Sequence, residues 1–127
     1  MTASRDYIKA FQAWLGAICT AYNGRLPTGV NPQAPYILYD AYTDKFGTAF
    51  IQPLTIHAPN STDIGDVLEI VDEIDARVGE GGVLLHGEKL NIWIRKGSPF
   101  SQPIDASDEV GIARYVNLVI KIYQKER

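Results

Sequence analysis

Apolar side chains recur at spacings of three and four residues in two stretches of the chain. The first stretch covers about residues 4–22, and the second begins after Asn60-Ser61-Thr62-Asp63, whose side-chain oxygens suit the start of a helix. This spacing predicts two amphipathic helices, each with one buried side. The predicted buried sides consist of Tyr7, Phe11, Trp14, Leu15, Ile18 and Tyr22 in the first helix and Ile64, Val67, Leu68, Val71, Ile74 and Val78 in the second.

Glycine and proline residues mark the ends of both predicted helices. Asn23-Gly24 predicts the end of the first helix, and residues 25–35, which contain three prolines, predict a loop. Gly79-Glu80-Gly81-Gly82 predicts the end of the second helix. Because this glycine-rich segment follows a helix and precedes a strand, the reverse of the order in phosphate-binding loops, it predicts no nucleotide site.

Strands rich in β-branched and aromatic residues fill the rest of the chain. Two hairpins are predicted, one through the turn Thr43-Asp44-Lys45 and one through Gly87-Glu88-Lys89, followed by a last strand. Pro53 places its strand at an edge or a bulge, because proline cannot donate a ladder hydrogen bond, and an edge strand is exposed for pairing. The predicted strands cover about residues 36–42, 48–58, 83–86, 90–95 and 113–123.

A long connection is predicted between the last two strands, over residues 96–108. It contains Pro99 and two apolar residues, Phe100 and Ile104, and its length is one at which connections without secondary structure often have a function. In the strand before it, alternation predicts that Leu90, Ile92 and Ile94 face the core and that Asn91, Trp93 and Arg95 face the other side.

The order of these elements predicts a single α+β domain over residues 1–127. We expect a mainly antiparallel sheet of about five strands with both helices packed on one face, in the order α-β-β-α-β-β-β. The other face of the sheet then stays open or meets a neighbouring molecule. A length of 127 residues suits one domain, and 46% apolar and 21% charged residues are typical of a globular chain and not of a disordered one.

Charge is distributed unevenly around a formal net value of −3. Residues 61–80 hold seven acidic residues and one basic residue, whereas the remainder holds 11 basic and eight acidic residues. The acids of the second helix predict a solvated face and not a metal cage. Without a broad basic patch we expect no sequence-specific DNA binding, and without an apolar run of about 20 residues we expect a soluble cytoplasmic protein with no membrane contact.

Few residues suggest chemistry. His57 and His86 lie on different predicted strands, and Asp75 lies on the apolar side of the second helix, where it must reach the rim or find a hydrogen-bond donor. Cys19 stands alone and predicts a small buried side chain. We therefore expect no catalytic residue, cofactor or metal. The rival interpretation is a small hydrolase or ligand-binding domain that uses Asp40, His57, Asp75 or His86, and it gains if two of these side chains meet in one pocket.

Four segments follow the N-terminal helix in a characteristic order. They are Ala34-Pro35-Tyr36-Ile37-Leu38-Tyr39-Asp40, Ile56-His57-Ala58 before the acidic helix, Ile94-Arg95-Lys96-Gly97-Ser98-Pro99-Phe100, and the closing strand near Arg114-Tyr115. This arrangement resembles small tail terminator and tail completion proteins of long-tailed bacteriophages, and the resemblance, one of pattern and order, covers most of the chain. It implies a non-enzymatic α+β protein that forms a ring, commonly of six copies, on the head-proximal end of the tail tube.

The resemblance implies three partners: further copies of the chain, a tail tube protein and a head-tail connector protein. It also implies a place at the head-tail junction of the virion, after synthesis in the bacterial host cytoplasm. The runner-up role is a head-to-tail joining or minor capsid protein. Six domains of this size, each about 36 Å across, would leave a central hole of similar width, through which DNA could pass.

A ring requires that one patch on each subunit meets a different patch on the next. The candidate patches are the Pro53 strand, the face of the first helix with small residues that include Gly16 and Thr20, and the loop with Pro99, Phe100 and Ile104. The acidic second helix could line the channel, where like charge would keep DNA from adhering, or lie on the outer wall and meet a basic partner. The sequence leaves that choice open.

Overall fold

The computed structural model describes residues 3–32, 34–41, 48–59, 63–103 and 111–124. It confirms the α+β class, with both helices on one face of a mostly antiparallel sheet that has six strands and not about five. None of the helices in these residues is both long and apolar enough to span a bilayer. The elements are α1 (Ala3–Ile18), β1 (Ala21–Asn23), β2 (Tyr36–Tyr39), β3 (Phe50–Pro59), α2 (Gly65–Val78), β4 (Val83–His86), β5 (Leu90–Pro103) and β6 (Gly111–Gln124).

The strand order across the sheet is β1-β2-β3-β6-β5-β4. Every neighbouring pair is antiparallel except β1 and β2, which run parallel. Helix α1 packs towards β1, β4 and β5, and α2 packs over β3, β5 and β6, so one apolar cluster fills the space between the helices and the sheet. This arrangement buries one side of the central strands and leaves the helices off the other side.

The first helix is shorter than its apolar spacing predicts. It ends at Ile18, and Tyr22 belongs to β1, so the predictions that Tyr22 extends the helix and that Asn23-Gly24 ends it are wrong. The backbone leaves the helix because it pairs with β2: the Thr20 carbonyl accepts a hydrogen bond from the Ile37 amide at 2.8 Å. Gly24, with φ of 93°, follows the strand and not a helix.

Pro53 lies in an interior strand, so its prediction as a marker of an edge strand is wrong. Strand β3 pairs with β6 along its whole length, and Pro53 lies opposite Asn117. The ladder with β2 covers only residues 54–57 of β3, so Pro53 has a paired neighbour on one side, a position at which a strand tolerates proline. Beside it the Gln52 Nε2 donates to the Asp40 carbonyl at 2.9 Å and continues the link to the end of β2.

Residues 96–103 continue β5, so the prediction of a loop is wrong there. Opposite Asn117 the register shifts, and residues 97–100 form a bulge in β5. The Asn117 Nδ2 donates to the Pro99 carbonyl at 3.1 Å and holds the bulge. A bulge accommodates the glycine and proline residues that suggested a connection. Residues 104–108, the turn at residues 43–45 and the capping residues 60–62 lie outside the described residues.

A buried carboxylate joins the start of α1 to the β4–β5 turn. Asp6 is 2% exposed, and its oxygens accept hydrogen bonds from the amides of Glu88 (2.9 Å), Lys89 (2.6 Å) and Leu90 (3.0 Å). The turn approaches so closely that a Cβ on Gly87 would lie 2.7 Å from Asp6 Oδ2. One side chain thereby fixes the position of the helix against the far edge of the sheet.

Replacing Asp6 by Asn should lower the free energy of unfolding by about 2–4 kcal/mol, because one acceptor oxygen becomes an amide that opposes backbone N–H groups. Urea titration followed by circular dichroism measures this change. Asp72→Asn, at an exposed acid, is the matched control and should change stability by less than about 0.5 kcal/mol. Equal effects of the two substitutions would contradict the role assigned to Asp6.

Two buried tyrosines hydrogen-bond to glutamine side chains inside the fold. Tyr7 donates to Gln52 Oε1 at 3.2 Å, and Tyr39 donates to Gln12 Oε1. Burial raises the pKa of Tyr39 to about 12. Burial, with a smaller contribution from Tyr39, also raises the pKa of Tyr7. Both phenols therefore keep their protons in the folded chain at pH values where the unfolded chain loses them.

Stability should therefore be insensitive to these phenols below pH 10, the ordinary value, and should fall as the pH rises from about 10 to about 12. Each phenol contributes a slope of up to about 1.4 kcal/mol per pH unit. Thermal unfolding across that pH range measures the decline. Tyr39→Phe should reduce the slope, whereas Tyr123→Phe, at an exposed position, should leave it unchanged. A slope that is equal in all three proteins would refute this assignment.

Candidate functional site

The side of the sheet away from the helices is formed by outward side chains of four neighbouring strands, and we call it the open sheet face. Side chains alternate between the two sides of each strand. The inward positions of β3, β5 and β6 are buried, and the side chains at the positions between them point outward and form this face. The members are Ile51, Pro53, Thr55 and His57 of β3, Tyr115, Asn117, Val119, Lys121 and Tyr123 of β6, Asn91, Trp93 and Arg95 of β5, and Leu84 and His86 of β4.

Large apolar side chains are concentrated on this face. Six of them are exposed in the described residues, and four lie on the open sheet face: Ile51 (62% exposed), Leu84 (48%), Tyr115 (42%) and Tyr123 (39%). Two rows cross the strands in register, Ile51-Val119-Arg95 and Leu84-Trp93-Lys121. Ile51 therefore lies beside Val119, and Leu84 lies beside Trp93, so exposed apolar side chains have apolar neighbours on the adjacent strands.

The cations of the open sheet face lie on its aromatic rings. The Arg95 guanidinium carbon is 5.0 Å from the centre of the Trp93 ring, and Lys121 Nζ is 5.2 Å from that of Tyr123. The Trp93 indole in turn donates to the Gly81 carbonyl at 3.2 Å, and a Cβ on Gly82 would lie 2.5 Å from its nitrogen. None of the outward positions of β3 to β6 in the described residues carries an acid. The face is therefore apolar, aromatic and basic.

Helix α2, on the opposite side of the molecule, exposes a group of acidic residues. Asp66, Glu69, Asp72 and Glu73 are exposed on α2, on the side that points away from the sheet, and we call them the acidic helix face. Arg77 pairs with Glu73 at 2.8 Å. Within the described part of the chain, Glu69 and Asp72 form no ion pair. The described residues contain no group of three or more potential metal ligands.

The predicted interface residues fall on three separate surfaces. Pro53 belongs to the open sheet face, Gly16 and Thr20 are exposed at the end of α1, and Pro99 is exposed on the β5 bulge. Phe100 is partly buried against the chain's own core. Its ring also lies 5.9 Å from Lys96 Nζ, so a substitution there would alter folding together with any contact between subunits. Ile104 lies outside the described residues.

The four residues of the rival hydrolase interpretation lie at separate places in the fold. Asp40 follows the end of β2, whereas the His57 ring stacks on Tyr36 at the start of that strand, with centres 5.0 Å apart. His86 Nδ1 lies 2.9 Å from Asn91 Oδ1 on the far side of the sheet. Asp75 receives a hydrogen bond from Lys96 Nζ at 2.7 Å, which confirms that it finds a structural donor. In the described structure these four residues do not converge.

A shallow pocket of about 440 Å³ lies between the end of α1 and the start of α2. Cys19, Pro35, Ala58, Pro59, Asp66, Glu69 and Ile70 form its walls, and none of the four rival residues is among them. The Cys19 thiol donates to the Pro35 carbonyl at 3.3 Å. Burial raises the pKa of this thiol, so it is a weak nucleophile at neutral pH.

The sequence predicts the outward position of Trp93, which the structure confirms, and a face of the sheet that stays open or meets a neighbour, but the predicted interface patches did not include that face as a whole. Ile51, Tyr115 and Tyr123 each occupy an outward-facing position of a predicted strand. Comparing the outward-facing positions of all the strands would have shown that apolar residues occupy both sides of the sheet. The missing information was the strand order, which brings Leu84 of the edge strand beside Trp93.

The chain matches no known family model, no curated protein and no solved structure.

The single cysteine offers a direct test of this region. Because burial raises the pKa of Cys19, little thiolate is present at pH 8, and folding also restricts access to the sulfur. We expect 5,5′-dithiobis(2-nitrobenzoate) to react at least about tenfold more slowly with the native chain than with the chain in urea. Equal rates in the two states would show that the thiol is accessible and unperturbed.

Proposed function

We propose that this protein is a bacteriophage structural protein that caps the head-proximal end of the tail tube as a ring. In this role it stops tube polymerisation and forms the surface to which the head joins. The observation that carries the proposal is the open sheet face, because exposed apolar and aromatic side chains concentrated on one face are typical of an interaction site. The resemblance of the ordered segments to tail terminator proteins supplies the biological setting.

The mechanism is occlusion and requires no turnover of a substrate. One side of the ring fits the last layer of tube subunits, and the other side lacks the surface that the next tube subunit would need. Each subunit must then present separate patches to its neighbours, to the tube and to the connector. The open sheet face is the candidate for the contact between subunits. The end of α1 with Gly16 and Thr20 and the bulge with Pro99 remain for the tube and the connector.

The composition of the open sheet face supports a protein partner. Trp, Tyr and Arg are the residues most often found at the energetic centre of protein interfaces, and Trp93, Arg95, Tyr115 and Tyr123 all belong to this surface. Strands in the centre of the sheet hold these side chains in place, so little conformational entropy is lost on binding. Rigid presentation suits a subunit that must match a repeating template.

Addition of the wild-type chain to polymerising tail tube protein of the same phage should shorten the tubes and place protein at one end, as seen in electron micrographs. Ile51→Ser combined with Tyr115→Ser should abolish this effect, because it removes apolar contacts from the open sheet face. Its thermal midpoint should stay within about 3 °C of the wild type, since both side chains are exposed.

The matched control is Val30→Ser combined with Ile64→Ser, which removes two exposed apolar side chains, 39% and 46% exposed, away from the sheet. This control should cap tubes like the wild type. Tubes that grow to normal length with saturating wild-type chain would refute the proposal. Equal loss of capping in both double variants would instead contradict the role assigned to the open sheet face.

A further inference from the structure

Two cations and two anions that form no salt bridge among the described residues lie on opposite sides of the molecule. Arg95 and Lys121 stand on the open sheet face, where the described outward positions of β3 to β6 contain no carboxylate. Glu69 and Asp72 stand on the acidic helix face and form no ion pair among the described residues. The two faces therefore present side chains of opposite charge.

The surroundings of the cations favour a contact that excludes water. Both lie on aromatic rings, which hold their alkyl stems against apolar surface, and the neighbouring Leu84 and Ile51 are exposed. A charge pair formed over such a surface is screened less by solvent than a pair between two mobile side chains. A partner that places carboxylates on this face gains charge pairing and apolar burial together.

We infer that the open sheet face of one copy binds the acidic helix face of the next copy. This inference rests on the proposed function and names the contact that builds the ring. The occupant is a second copy of this chain because its own α2 carries an exposed row of carboxylates, including Glu69 and Asp72, that complements Arg95 and Lys121 in charge.

Contact between two open sheet faces is the main alternative, and charge opposes it. Such a dimer would bring Arg95 and Lys121 of both copies together with no acid at the described outward positions of either face, and juxtaposed like charges are unfavourable. The contact between the open sheet face and the acidic helix face joins two different patches. Each bound copy therefore keeps one free patch for another neighbour, and repetition closes into a ring when the rotation between copies divides a full turn.

Charge reversal on one side at a time tests the contact. The first variant carries Arg95→Glu and Lys121→Glu, and the second carries Glu69→Lys and Asp72→Lys. All four side chains are at the surface, and circular dichroism with thermal unfolding checks that both variants fold. Sedimentation velocity over a concentration series measures the assembly. Each variant alone should associate at least about tenfold more weakly than the wild type, because like charges now face each other.

The equimolar mixture of the two variants is the decisive sample. In that mixture acidic open faces meet basic helix faces, and the unaltered faces also meet with opposite charge, so assembly should return in alternating order. The chain that carries all four substitutions should likewise assemble alone. Assembly of the wild type should weaken when NaCl rises from about 50 mM to about 500 mM, because salt screens the pairs.

A matched control carries Lys9→Glu and Arg25→Glu, which make the same change in net charge at exposed positions outside both faces. This control should assemble like the wild type. Normal assembly of the Glu69→Lys and Asp72→Lys variant would overturn the inference in favour of contact between two open faces. Failure of the mixture to assemble, or a wild type that stays monomeric at every concentration both alone and with tubes, would also overturn it.

The outcome for the proposed function is read separately, from tube length. Rings that cap tubes but ignore both charge reversals would reject this contact and keep the function. If ring assembly is lost in each charge-reversal variant and returns in the mixture, but tube growth is unchanged, the contact is supported and the function is rejected. The two conclusions therefore stand or fall on different measurements.

Discussion

The antiparallel ladder between β3 and β6 is the constraint on which the rest of the structure depends. It joins ten residue pairs from Phe50–Ile120 to Pro59–Gly111 and lies at the centre of the sheet. Because strand side chains alternate, this register sends one set under the helices and the other to the open side. A slip by one residue would bury Lys121 and expose the core, so the register fixes both the core and the candidate interface.

The two sides of this ladder have different roles, one in folding and one in contact with a partner. The inner side supplies apolar area for folding, and Asp6 and Gln52 bind the helix and strand ends around it through buried hydrogen bonds. The outer side contributes less to folding, because Ile51 and Tyr115 remain exposed, yet it keeps apolar and aromatic residues. A role as a contact surface would explain why these apolar and aromatic residues are exposed. The acidic helix face of the same chain has the charge that complements Arg95 and Lys121.

Much of the fold could be predicted because its signals are local and periodic. The buried side of α2, the strand alternation around Trp93 and the helix end at Gly79 all follow from spacing within one element. The prediction is wrong for Ile64, which precedes α2 and is 46% exposed. Strand β1 could not be predicted, because three residues carry no periodic signal and Tyr22 also fits the stripe of α1. The Asp6 contact was equally hidden, since its partners lie more than 80 residues away and are backbone amides. Pro53 misled because the position of a strand in the sheet depends on neighbours that are distant in sequence.

In the proposed assembly the open sheet face is covered by another copy of the chain. A cryo-electron microscopy map of the protein on the ends of tail tubes would show what lies against each strand. We expect α2 of the adjacent subunit to cover Trp93 and Arg95, with Glu69 and Asp72 at the contact. A map in which those strands face solvent or the tube, while α2 lines the channel, would contradict it.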